Sequence, residues 1–189
     1  MNKTVIIILL LASSLLCGCK KWIELTETTI KSVTINDVTY EYKDTYRPIM
    51  GSNKILPFEF NGLDDVGRYQ LFLPDVDIVI TFIIKCQYED FAPPKKFILR
   101  NPLISTDQTY TLVDMMWSPE IVNYIPEGSD GIAFMYGWGK YSRRNPIGLS
   151  GYLELLETTV GYNRNKFELS SDSIQPIIIT DGFFYTSKM

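Results

Sequence analysis

The sequence predicts an all-β domain: an antiparallel β-sandwich of about nine to eleven short strands, with a lipocalin-like β-barrel as the alternative. Three observations lead there. β-branched and aromatic residues recur in short runs with a two-residue period. Gly, Pro, Asn and Asp punctuate those runs. No stretch longer than a turn or two shows the 3.6-residue apolar period of a helix.

The runs follow one another from Thr28. Thr28–Ile35 and Val38–Lys43 flank Asn36-Asp37, a pair that tolerates the positive φ of a tight hairpin turn. Lys54–Phe60 contains Pro57, which suits an edge strand or a strand start. Gly67–Leu73 ends at Pro74. Val76–Cys86 is the strongest run. Val76, Ile78, Ile80, Phe82, Ile84 and Cys86 share a uniformly apolar face. Asp77, Val79, Thr81, Ile83 and Lys85 share the other, which is apolar only at its middle, as in a central strand with charged ends. Cys86 then reads as a small core residue and not a reactive thiol. Ala92-Pro93-Pro94 breaks the chain, and Phe97–Arg100, Thr109–Trp117 and Gly131–Trp138 read as further strands. Ser118 caps one helical turn with Pro119 in its first position, and that turn cannot pass Pro126. Gly148–Thr158, Lys166–Leu169, Ile177–Thr180 and Phe183–Thr186 complete the set, with Asp181-Gly182 as a two-residue turn between the last two. Short linkers and the lack of a repeat make residues 28–189 one domain.

What precedes the domain is of another kind. Lys3 is followed by twelve uncharged residues, Val5–Leu16. That is too short to span a bilayer, which takes about 20 apolar residues, and it fits the apolar core of a secretory signal. The segment ends Leu16-Cys17-Gly18-Cys19. An aliphatic residue, two small ones and a cysteine resemble the bacterial lipobox. The resemblance implies that residues 1–18 are a lipoprotein signal peptide, cut after Gly18. Cys19 would carry a diacylglyceryl thioether and become the mature N-terminus, with residues 19–27 as lipidated Cys and tether. Each buried lipid methylene contributes about 0.8 kcal/mol, and two or more chains anchor stably.

Taking the first 18 residues off the 189 leaves 171, enough for one domain with its own core. Acids outnumber Lys plus Arg by 22 to 18 and no basic run occurs, which argues against nucleic acid as partner. The chain has no histidine, so the commonest general base and metal ligand are missing. With Cys17 in the signal and Cys19 modified, Cys86 stands alone, and neither a disulfide nor a zinc site is expected. Asp64-Asp65 and Asp75-x-Asp77 offer oxygen ligands in loops, but their spacing is not that of an EF-hand, and strand-end polarity accounts for them. No metal and no cofactor is expected, and no catalytic residue is assigned.

The most ligand-like segment is Phe134–Tyr141, where aromatic rings alternate with glycines. Tyr136, Trp138 and Tyr141 are candidate stacking surfaces for a sugar ring, and Arg143 and Arg144 could hold an acidic group. The competing reading places Phe134, Tyr136 and Trp138 in the core, where buried aromatics dominate β-domains.

Three features taken together resemble small lipoproteins of unknown function from Bacteroides-type bacteria. They are the lipobox, the Ile35-Asn36-Asp37 hairpin, and Phe167-Glu168-Leu169 followed by Ile179-Thr180-Asp181-Gly182-Phe183. That family brings no catalytic residues. It implies anchoring by the N-terminal lipid at the outer membrane of a Gram-negative bacterium. Lys20-Lys21-Trp22-Ile23-Glu24 has the lysine of a surface-export signal but not its adjacent acids, so the periplasmic and surface-facing leaflets both stay open. Asp172-Ser173-Ile174 is similar to the O-glycan acceptor triplet of such bacteria, which makes Ser173 a candidate glycosylation site. The functional expectation is non-enzymatic binding of a glycan or envelope protein. The alternatives are a carboxylate-based glycan hydrolase, which needs two facing acids, and a structural subunit of an envelope assembly.

Overall fold

The computed structural model describes residues 27–45, 59–61, 65–103, 109–137, 146–156 and 162–187. The chain divides into two compact units, Met1–Thr29 with Lys43–Lys54 and Ile30–Tyr42 with Ile55–Met189. In the smaller unit the described residues, 27–29 and 43–45, are strand. The larger unit is a single curled, mixed sheet, a half-barrel, and its all-β character is as expected.

The strands are β1 (Glu27–Ile35), β2 (Val38–Thr45), β3 (Glu59–Asn61), β4 (Val66–Leu73), β5 (Ile78–Lys85), β6 (Lys95–Arg100), β7 (Gly131–Gly137), β8 (Ile147–Leu156), β9 (Tyr162–Ser170) and β10 (Ile178–Ser187). They lie in the order β2-β1-β10-β9-β8-β6-β7-β5-β4-β3. Asn36 and Asp37 both take positive φ, 46° and 68°, as a primed hairpin turn demands. The Asn36 Oδ1 accepts from the Ile178 amide at 2.8 Å, which ties that turn to β10. β1 itself pairs antiparallel with β10, so the first and last of the described strands are neighbours.

β5 sits where its pattern put it, between β4 and β7. Its alternate residues Ile80, Phe82 and Ile84 join the inner side of the curl, where strands far apart in the sheet order touch. Tyr69 of β4 stacks on Phe184 of β10 with ring centroids 4.4 Å apart, and Phe82 meets Phe167 of β9 edge-on at 5.2 Å. Burial holds the Tyr69 hydroxyl well above the usual tyrosine range. Below about pH 9, both folded and unfolded chains keep that proton. As pH rises further, the unfolded chain releases it first and stability falls. The stability of wild type relative to Tyr69→Phe is therefore expected to decline from about pH 9 to about pH 11, measured by urea unfolding at each pH.

Three expectations are corrected. Thr109–Trp117 is not a strand: Thr109–Met115 forms a helix, α1, followed by the 3-10 turn Pro119–Tyr124. Leu112, Val113, Met116 and Ile121 pack on the opposite, outward side of the sheet, against Val66, Val79, Ile83, Ile132, Phe134 and Tyr136. That packing outweighs the β-branched composition of the segment. The expected cap is in place, with the Ser118 side chain accepting from the Glu120 amide and Pro119 in the first turn. Second, the sheet is not purely antiparallel: β6 and β7 run parallel at Leu99–Gly131 and Arg100–Ile132. The helical segment between them supplies the long crossover that a parallel pair requires. β8 forks, pairing through Ile147–Leu149 with β7 and through Gly151–Leu155 with β6. Third, Asp181-Gly182 is no hairpin turn. It is a bulge inside the continuous strand β10, with Asp181 at φ 50°. Turn and bulge call for the same left-handed residue.

Arg68 of β4 is 1 % exposed under α1. Its Nε donates to the Met116 carbonyl at 2.6 Å and its Nη1 to the Val66 carbonyl at 2.9 Å. A guanidinium thus holds the end of the helix against the sheet, where a positive charge is favoured.

Candidate functional site

Among the described residues α1 covers the outward side of β4, β5 and β7. The outward side of β2, β1, β10 and β9 carries a cavity lined by described residues. On β9 alternation buries Asn163, Asn165, Phe167 and Leu169 and leaves Arg164, Lys166 and Glu168 facing out. On β10 the bulge resets the phase. Phe184 and Thr186 are buried beyond it, Phe183 and Tyr185 are half-buried, and Asp181 is exposed. Gly182 cannot be replaced without conflict, since a Cβ there would stand 2.5 Å from the Phe167 ring. Ser32 and Thr34 of β1 and Thr39 and Glu41 of β2 complete an open groove of about 340 Å³ with Arg164, Lys166, Asp181, Gly182 and Phe183.

The groove has an order across the strands. Glu41 lies on β2, the hydroxyls of Ser32 and Thr34 on β1, Asp181 and Phe183 on β10, and Arg164 and Lys166 on β9. Thr34 and Thr39 share a hydrogen bond at 2.9 Å. The Arg164 guanidinium lies 5.0 Å from the Phe183 ring centroid, and Lys166 Nζ is 3.7 Å from Glu168 Oε1. Such exposed pairs contribute about 0–1 kcal/mol each, so a ligand can displace them. Beyond the groove, Tyr152 of β8 lies under Lys96, whose Nζ is 3.6 Å from the ring centroid. Burial, then a hydrogen bond to Glu168 and the nearby carboxylates, push its hydroxyl up to about 12. Carboxylates accept, cations and hydroxyls donate, and a ring supplies a flat apolar surface. The arrangement suits hydrogen bonding to a polyhydroxylated molecule.

The residues singled out from the sequence fall elsewhere. Tyr136 is 4 % exposed and packs under α1, stacked on Phe134. Its hydroxyl accepts from Gln70 Nε2 at 2.6 Å. The reading of Tyr136 as a ligand contact is therefore corrected: alternation places it on the covered side, and it is core. Trp138, Tyr141, Arg143 and Arg144 lie outside the described residues, as do Cys19 and the tether up to residue 26. Ser173 is exposed, and its hydroxyl donates to the Gln175 carbonyl within the β9–β10 connection. Asp65 and Asp77 hold positive-φ positions, at 48° and 51°, which gives both a backbone role. Cys86 is buried in the inner core, and burial pushes its thiol up. Sequence reasoning missed Glu41, Arg164, Lys166 and Asp181. The outward alternation of Arg164, Lys166 and Glu168 was a visible signal, but their meeting with β1 and β2 depends on long-range pairing. No family model, curated protein or solved structure matches the chain.

Proposed function

We propose that the chain is a lipid-anchored outer-membrane protein of a Gram-negative bacterium whose β-domain binds an envelope glycan without transforming it. The anchor rests on the basic start, the apolar run and Leu16-Cys17-Gly18-Cys19. The observation that carries the binding role is the groove, which sets donors and acceptors around the half-buried Phe183 ring. On this reading the protein belongs with the small lipoproteins it resembles. The finer fold is taken as barrel-like and not as a sandwich. Support comes from the seam between β1 and β4, where the Lys31 ammonium donates to the Phe72 carbonyl and lies 4.6 Å from the Tyr42 ring centroid. Desolvation there lowers the Lys31 pKa, against the opposing pull of Asp75.

The test is expression in a Gram-negative host followed by fractionation and intact mass. Wild type is expected in the membrane fraction with a lipid mass on Cys19, and Cys19→Ser in the soluble fraction. A Cys19→Ser protein that stays with the membrane rejects the anchor. The detergent-solubilised full chain is then applied to an array of envelope glycans, with Phe183→Ala as the weakened control. An empty array rejects glycan binding.

A further inference from the structure

The charge order across the groove narrows the ligand. Glu41 stands on β2 and Asp181 on β10, while Arg164 and Lys166 stand together on β9, three strands from Glu41. Strand spacing makes that separation roughly 14 Å, the length of a few sugar units and not of one. Arg164 and Lys166 are two residues apart on one strand, so both heads face the same end of the groove. Their present engagements, a ring and a half-exposed carboxylate, are easily exchanged for a stronger anion. At the other end Glu41 repels an anion and accepts hydroxyls, while Asp181, on β10 beside the ring, accepts hydroxyls next to the cations. The hydroxyls of Ser32 and Thr34 on β1 lie between, with Thr34 hydrogen-bonded to Thr39 beside Glu41 on β2.

The geometry points to an acidic oligosaccharide as the occupant, bound in one direction, with its carboxylate over Arg164 and Lys166 and its neutral hydroxylated end toward Glu41. This rests on the glycan reading above and adds the sign and position of the ligand charge. A neutral chain leaves Arg164 against a ring and Lys166 on its exposed carboxylate, with no stronger anion for either. A simple anion leaves Glu41, Asp181 and the hydroxyls unused.

The experiment is calorimetric titration of the detergent-solubilised full chain with three probes at equal ionic strength: a tetra-uronate, a neutral glucose tetrasaccharide and inorganic phosphate. The uronate is expected to bind about tenfold more tightly than either of the others, and to weaken as salt rises. The double variant Arg164→Gln and Lys166→Gln, with an unchanged melting temperature, should lose that preference and keep weak binding of both sugars. Equal binding of the two tetrasaccharides overturns the acidic assignment while leaving glycan binding intact. Phosphate binding as tightly as uronate overturns the saccharide class and leaves a bare anion site. Failure of both sugars to bind overturns this inference and the glycan reading together.

Discussion

Gly131→Ala is expected to destabilise the protein by about 4 kcal/mol or more, enough to leave much of it unfolded in dilute solution. Gly131 begins β7 where it faces Ile84 on β5 and Leu99 on β6. A methyl group built there overlaps the Ile83 carbonyl oxygen and comes within 3.0 Å of the Ile84 Cα. Both obstacles are backbone, so no rotamer change relieves them. The adjoining bonds hold the strands at this spacing: Lys85 donates to the Asp130 carbonyl at 2.8 Å, and Asp130 to the Ile98 carbonyl at 2.9 Å. To admit the methyl, β5 and β7 must part where β7 begins. Circular dichroism against urea measures the effect, and a midpoint equal to wild type would show that the strands do not approach as described.

Arg68→Ala is expected to cost about 3 kcal/mol, with a different signature. It leaves the Met116 and Val66 carbonyls without their guanidinium donor and opens a cavity under α1. The sheet pairings around Arg68 are main-chain bonds and survive. Loss should therefore appear first as protease cleavage and fast amide exchange over 109–125, with the β-sheet spectrum retained. Arg68→Lys should recover only part of the loss, since one ammonium cannot reproduce the planar fork. Simultaneous loss of sheet and helix signals would mean that Arg68 does not serve as a clamp.

The contrast between these two sites shows how far the sequence could be read. β5 was legible on both faces, because each is apolar through the middle of the strand and is buried there. The Asn36-Asp37 turn and the Ser118-Pro119 cap were legible because each rests on local chemistry. α1 was not: seven residues are too few for a helical period to outweigh Thr109, Thr111 and Val113, and only the covered face of β4, β5 and β7 decides the matter. Asp181-Gly182 misled because a left-handed backbone serves a hairpin and a bulge alike. The aromatic run around Tyr136 drew attention for its composition, and packing claimed it. The groove was invisible because it joins residues 32–41 to residues 164–183, and no local pattern records which strands will be neighbours.

β1 finds its partner in β10, at the opposite extreme of the chain. That pairing is non-local, so it cannot form before residues 178–187 are made. The opening hairpin must therefore wait, exposed, until synthesis has delivered the final strand. A polypeptide threaded through a membrane pore from its N-terminus would keep that edge unsealed for the whole passage, and would need shielding from stray strands until its tail emerged.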